Sequence, residues 1–281
     1  MPLSVEQLAS WSREGFVVLP GFVPESEVAT LRDRISELVA GFAASSEEAA
    51  TVFSTTEQTH AQEHYFLSSG DLIRAFFEDG AFDADGNLQV PMNRALNKLG
   101  HAMHDLDPVF DRFSRTLELA ELVSDLGFTE PLLLQSMVIF KPPHIGGEVI
   151  CHCDHSFLWT EPQTVAGLWF ALDDATVDNG CLWVVPGGHH QPARTRFRLD
   201  GTGTTTDVIN PVPYDIDSLV PVEVNAGTLI AFSGLLPHWS APNTSKNPRL
   251  AYTLHVIDGT ADYLEDNWLQ RGPSLPLRGF T

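Results

Sequence analysis

Positive charge is what this chain has least of. Its 281 residues carry 37 Asp and Glu against 16 Lys and Arg, a formal net charge of −21, and only Lys98, Lys141 and Lys246 are lysines. A field of that sign repels phosphate backbones and anionic lipid, which disfavours nucleic acid and membrane surfaces as partners and leaves a small molecule as the expected one. Cysteine is scarce too: Cys151, Cys153 and Cys181 are too few and too clustered for a secreted disulfide framework. No apolar run reaches the roughly 18 residues of a membrane span, and no basic stretch precedes an apolar core at the N-terminus. The chain ends Arg278-Gly279-Phe280-Thr281, not the Ser-Lys-Leu peroxisomal address. These absences together predict a cytoplasmic protein, monomeric or weakly homo-oligomeric. Nucleophile elbow, phosphate-binding glycine loop and kinase signature are missing as well.

What is present suffices for a core, with 43% of residues hydrophobic. One domain is expected over 1–281, helical over about 1–130, a β-rich core over about 131–260 and a tail over 261–281. Ser4 with Gln7 makes a capping box for a short helix ending near Gly15, followed by the apolar strand Phe16-Val17-Val18-Leu19. A longer helix starts at Pro24, with Val28, Leu31, Ile35, Leu38, Val39 and Phe42 along one face. Residues 43–64 lack apolar periodicity and read as a mobile loop or frayed helix, and the stretch from about Ser54 to Gly70, leading into Tyr65-Phe66-Leu67, is a candidate lid. A helix is predicted from Asp71 through Phe77, a tight hairpin over 82–88, and helices from about Asn93 to His104 and Pro108 to Leu126. From Leu132 short β-rich runs punctuated by Gly, Pro and Asn predict a mainly β fold, a double-stranded β-helix or jelly roll buttressed by the N-terminal helices.

The chemistry concentrates in Glu148-Val149-Ile150-Cys151-His152-Cys153-Asp154-His155-Ser156. Side chains alternate on a strand, so His152 and Asp154 point to one face. A second inward histidine comes with Pro237-His238-Trp239-Ser240, and eleven residues after His238 Arg249 opens another strand. Two histidines and one carboxylate with open coordination positions form the facial triad of non-haem Fe(II) oxygenases. Arg249 shares its face with the small Ala251 and Thr253 and offers a planar fork for a carboxylate. Ser240, with the parity of His238, can hydrogen-bond the same group. Taken singly, each histidine is more often structural. A rival metal site exists on the opposite parity, where Cys151, Cys153 and His155 could ligate zinc. A fourth ligand is not evident there, and two small cysteines packed against the neighbouring sheet are the plainer reading.

The order His152-x-Asp154, His238, Arg249 resembles the phytanoyl-CoA dioxygenase family of Fe(II)/2-oxoglutarate oxygenases, nearest its domain-containing protein 1 branch. The likeness runs nearly end to end, through Tyr65-Phe66-Leu67-Ser68-Ser69-Gly70-Asp71, Asn97-Lys98-Leu99-Gly100-His101, Gln135-Ser136-Met137, Gly146-Gly147-Glu148-Val149, Asn179-Gly180-Cys181-Leu182-Trp183 and Glu265-Asp266-Asn267-Trp268-Leu269. Within the triad motif Cys153 and His155 stand where that branch carries Gln and Ala. The resemblance implies His152, Asp154 and His238 as iron ligands and a 2-oxoglutarate pocket lined by Lys98, Met137, Trp169, Ser240 and Arg249. Trp169 in its apolar run could equally be a core aromatic. It further implies an enzyme that uses Fe(II), 2-oxoglutarate and O2, releases succinate and CO2, and hydroxylates or desaturates a small organic substrate. Halogenating relatives lack the carboxylate that Asp154 supplies, and the acidity argues against a CoA thioester. The alternatives are a non-catalytic metal-binding or zinc-stabilised jelly roll and a cupin-like isomerase or lyase.

Overall fold

The structure is a computed structural model, and it describes residues 2–44, 52–53, 64–83, 85, 87–201 and 203–280. Helix α1 (Val5–Glu14) starts at Ser4 with the expected reciprocal capping box and stops at Gly15, whose φ of 83° ends it in the left-handed region. Strand β1 (Phe16–Leu19) follows, then α2 (Glu25–Ala44), β2 (Val52–Phe53), α3 (His64–Leu67), β3 (Ile73–Glu78), β4 (Leu96–His101), α4 (Met103–Leu106), α5 (Pro108–Ser114) and α6 (Leu117–Asp125). Beyond these come β5 (Pro131–Lys141), β6 (Val149–His152), β7 (Thr160–Glu161), β8 (Ala166–Ala171), β9 (Leu182–Val184), β10 (Thr195–Asp200), β11 (Gly203–Val208), β12 (Val220–Val222), β13 (Leu229–Ser233), β14 (His238–Ser240), β15 (Arg249–Asp258) and β16 (Asp262–Tyr263).

Eight strands form the large sheet, ordered β1-β13-β8-β15-β5-β4-β3-β2, and β12-β9-β14-β6 form the sheet that faces it. This is a mainly β jelly roll with helices on its outer side. Alternation along the central strands divides two environments. Leu168 and Phe170 of β8 and Tyr252, Leu254 and Val256 of β15 pack with Val28, Leu31, Ile35, Phe110, Phe113 and Leu122 of the helices. The residues between them, Trp169, Ala171 and Ala251, turn inward with Ile230 and Phe232 toward Leu182, Val184 and Val222 of the smaller sheet. Both faces are covered, so β8 is buried at every position.

Three expectations are corrected. Residues 73–78 form strand β3, not a helix, and the helix predicted from 93 to 104 contains strand β4, with α-helix only over 103–106 and a 3-10 turn over 92–94. Pairing between these two strands overrides local propensity. The ladder shifts register between Phe76 and Phe77, which pair with Lys98 and Leu96. Leu96 and Leu99 therefore both join the helix-side core although they stand three apart, a spacing that imitates a helix. The helix over 108–126 is two helices: Thr116 caps α6 by accepting from the Leu119 amide. The hairpin over 82–88 is present, closed by a Phe82–Leu88 bridge. Residues 54–63 of the candidate lid lie outside the described residues. The tail is tied back, with Arg271 and Arg278 both reaching the buried Asp105, at 3.4 and 2.8 Å. Among the described residues no helix is long and apolar enough to cross a membrane.

Candidate active site

Strands β6 and β14 are adjacent in the smaller sheet, and His152 is the register partner of His238. Their rings stand 4.3 Å apart. Strand β6 ends at His152, short of the Asp154 expected on it, and Asp154 opens a 3-10 turn after the extended Cys153. The carboxylate still reaches the same side: Asp154 Oδ1 lies 3.6 Å from His152 Nε2 and 3.6 Å from His238 Nε2. Among the described residues these three form the one group of His, Cys, Asp or Glu placed to share a metal ion. His238 and Asp154 are buried and His152 is half-buried, so the cluster is open on the His152 side.

Hydrogen bonding fixes the imidazole tautomers. Each Nδ1 donates to the carbonyl two residues back, His152 to Ile150 at 2.8 Å and His238 to Leu236 at 3.0 Å. A carbonyl can only accept, so in the neutral rings both Nε2 atoms carry lone pairs, and both face a carboxylate oxygen. Burial pushes His238 down to about 4, which leaves it neutral at physiological pH. Burial alone would raise Asp154, but its neighbours, His255 first among them, outweigh it and hold the carboxyl well below its ordinary range. Two lone pairs aimed at an anion repel unless a cation lies among them, and a neutral His238 beside an ionised Asp154 is what a divalent metal requires. The donor set, two imidazoles and one carboxylate, fits Fe(II) with positions left for other ligands.

Behind the triad the large sheet presents its inner face as a grid of registered residues. Arg249 is opposite Lys141, Thr253 lies between Met137 and Trp169, and His255 lies between Gln135 and Gly167. Lys98 joins the same face as the partner of Ile139 on β4. The expected cosubstrate residues Lys98, Met137, Trp169 and Arg249 thus share one face, and Ser240 approaches from the facing sheet. Arg249 is 2% exposed. Its Nε donates to the Gly180 carbonyl at 3.1 Å, its guanidinium stacks 5.6 Å from the Trp169 ring, and its Nη1 is buried without a partner among the described residues. Burial lowers it to about 10, so it stays a cation. A buried unpaired guanidinium N–H is costly, and a carboxylate satisfies it. Ser240 Oγ donates to the same Gly180 carbonyl at 2.9 Å, which commits its hydroxyl proton to the protein and leaves its lone pairs for a ligand donor. Lys98 sits over Phe76 and Phe66, 5.1 and 5.2 Å from the ring centroids, and burial pulls it to about 7.

Two site residues escaped the sequence reading. His255 is buried and pairs with Asp154 Oδ2 through Nε2 at 3.0 Å, a contact in which the imidazole must be the donor. It fixes the carboxylate that faces the two imidazoles. Its signal was available, since it has the parity of Arg249, Ala251 and Thr253. Gly167 had no signal. A Cβ there would stand 3.1 Å from Asp154 Oδ2 and 2.5 Å from the Phe232 ring, so the carboxylate fits against the sheet only over a glycine. The rival thiols are otherwise engaged. Cys153 Sγ lies 3.2 Å from Ser156 Oγ and 3.5 Å from Tyr214 OH. Burial pushes Cys151 up to about 11, away from the thiolate that zinc takes.

Residues 11–251 match the family model described as phytanoyl-CoA dioxygenase (PhyH). A phytanoyl-CoA dioxygenase of Arabidopsis thaliana is 42% identical over 270 residues, covering 96% of this chain and 94% of that protein. The phytanoyl-CoA dioxygenase domain-containing protein 1 of Bos taurus is 42% identical over 284 residues, covering 98% and 97%. Among solved structures, EctD from S. alaskensis with 2-oxoglutarate and 5-hydroxyectoine superposes with a TM-score of 0.64 at 21% identity, covering 96% of this chain and 84% of that one.

Proposed function

The chain belongs to the phytanoyl-CoA dioxygenase family, and from that membership we propose that it is a non-haem Fe(II)- and 2-oxoglutarate-dependent dioxygenase that hydroxylates or desaturates a small organic substrate. The observation that carries the proposal is the convergence, inside one sandwich, of two imidazole lone pairs and a carboxylate with a buried guanidinium whose Nη1 has no partner. Iron bound by His152, Asp154 and His238 supplies O2 activation coupled to oxidative decarboxylation of 2-oxoglutarate to succinate and CO2.

The remaining work belongs to the chain. His255 and the carbonyls of Ile150 and Leu236 orient the three ligands. Arg249 binds the distal carboxylate of 2-oxoglutarate with a planar fork, and Trp169 stacks beneath the guanidinium and limits its rotation. Lys98, Met137 and Ser240 line the same pocket. The apolar inner face around Ile230, Phe232 and Leu236 excludes water from the reacting centre. A zinc-stabilised, non-catalytic jelly roll finds less support, because Cys153 is turned toward Ser156 and Tyr214.

Succinate formation from 2-oxoglutarate by the Fe(II)-loaded protein, with and without candidate substrates, tests the reading. Stoichiometric iron should bind the native chain and be lost from His152→Ala, Asp154→Ala and His238→Ala, each still folded by circular dichroism. Native iron content in all three variants would refute the ligand assignment, and no succinate under any condition would refute the activity.

A further inference from the structure

Lys141 is one of three lysines in the chain, yet it is 2% exposed, at the end of β5. Removing an ammonium from water costs several kcal/mol unless its donors are satisfied. Here all three can be: Nζ donates to the carbonyls of Gly147 at 2.6 Å, of Ser240 at 3.3 Å and of Ala241. An ammonium has three N–H groups, so the charged Lys141 has none left for an anion; burial, with Arg249 beside it, lowers it to about 7.

Those acceptors are not scattered. Gly147 lies two residues before β6, which carries His152, and Ser240 ends β14, which carries His238. One side chain from the large sheet therefore ties down the ends of both ligand strands in the smaller sheet. Its stem lies on Gly180, where a Cβ would stand 2.6 Å from Lys141 Cδ and 2.8 Å from the Ala241 carbonyl oxygen. The Gly180 carbonyl is the acceptor that holds both Arg249 Nε and Ser240 Oγ. Lys141 is also the direct cross-strand partner of Arg249. When Lys141 is charged the two cations repel, and an anionic ligand relieves the repulsion. The nearby acid does not do so fully. Glu78 accepts from the Gly147 amide at 3.1 Å, and burial raises its carboxyl to about 7, which leaves it partly protonated at neutral pH.

We propose that Lys141 is a positioning residue for the cosubstrate anchor, holding the Gly180 peptide and the Ser240 end of β14 so that Arg249 presents its free Nη1 to the distal carboxylate of a 2-oxo dicarboxylate. The inference rests on the assignment of Arg249 above. It predicts a selective defect: contacts to the distal carboxylate weaken, and contacts to the 2-oxo acid head at the triad do not.

The test compares two ligands on the anaerobic Fe(II)-loaded protein by calorimetry: 2-oxoglutarate, and 2-oxobutanoate, which keeps the 2-oxo acid head and lacks the distal carboxylate. Lys141→Met should weaken 2-oxoglutarate by about tenfold or more and leave 2-oxobutanoate within about twofold. Lys141→Gln, which keeps two donors without the charge, gives the same reading if the Met variant fails to fold. Unchanged 2-oxoglutarate binding overturns the proposal. So does equal weakening of both ligands, which would make Lys141 a general brace for the sandwich or the triad. Arg249→Leu is measured in parallel: if it fails to lower the preference for 2-oxoglutarate, the anchor assignment itself falls and takes the inference with it. If it abolishes that preference while Lys141→Met does not, the anchor stands and the inference alone fails.

Discussion

Replacing His255 by Phe tests whether the partner of Asp154 governs the metal centre. The ring volume is kept and one interaction is removed, the Nε2–H donated to Asp154 Oδ2 at 3.0 Å. No other hydrogen bond to that oxygen is present among the described residues, so the variant leaves half of a buried carboxylate unsatisfied. A hydrogen bond to a charged group contributes about 1.5–3 kcal/mol. Outer partners of metal ligands typically change affinity about 10–100-fold, which corresponds to about 1.4–2.8 kcal/mol. The two routes agree, and Fe(II) should bind about tenfold or more weaker in His255→Phe. Anaerobic titration against a competing chelator measures this, with the melting temperature of the iron-free variant as a control for packing. His255→Gln, which retains an N–H donor, should recover part of the loss. Native affinity in the Phe variant, or equal affinity in the Phe and Gln variants, would refute the claim that this hydrogen bond fixes the carboxylate.

Arg249→Leu should raise the 2-oxoglutarate requirement by about 2–5 kcal/mol, the range for truncating a buried charge pair, and an unchanged requirement in steady-state kinetics would remove Arg249 as the anchor. Gly167→Ala should cost about 1–3 kcal/mol of stability and lower iron affinity as well, because its methyl meets the Phe232 ring and Asp154 Oδ2; a variant with native melting temperature and iron content contradicts the packing argument. Glu78→Gln has a pH signature. The folded carboxyl is raised from 4.5 to about 7 by burial, so the stability that the protonated group confers is complete below 4.5 and is lost as pH rises through 7. The melting temperature of Glu78→Gln minus that of the native protein should therefore grow between pH 4.5 and 7 and then level off, and a flat difference across that window would show that Glu78 is not held protonated.

The sequence discloses the β core better than the helical third, for a physical reason. Strands from Pro131 to Asp258 are rich in β-branched and aromatic residues and bounded by Gly, Pro and Asn, so local signals and tertiary pairing agree. In β3 and β4 they disagree. The pairs Phe76–Lys98 and Phe77–Leu96 exist only because the two strands meet, and the shift between them disguises the alternation. The triad was legible because His-x-Asp and a later His keep their chemistry whatever the exact strand ends, which is why the early stop of β6 did no harm. The inward placement of Arg249 was legible from parity. His255 has the same parity and was still passed over, since a histidine alone does not announce whether it ligates, orients or merely packs. Gly167 could not be found at all: its role is the absence of a side chain beside a residue thirteen positions away.

The pocket and the core of this protein are one construction. Along β15 the residues Arg249, Ala251, Thr253 and His255 share the inner face, and Leu250, Tyr252 and Leu254 face the helices, in unbroken alternation. A slip of one residue would send Arg249 and His255 into the helix-side core and bring Tyr252 and Leu254 onto the inner face. Burial of Tyr252 and Leu254 among Phe110, Phe113 and Phe170 therefore enforces the register on which the chemistry depends. The pairing with β5 does shift, but only between His255 and Val256, immediately after the side chain that pairs with Asp154. Irregularity is tolerated beyond His255 because nothing there has to aim at the triad.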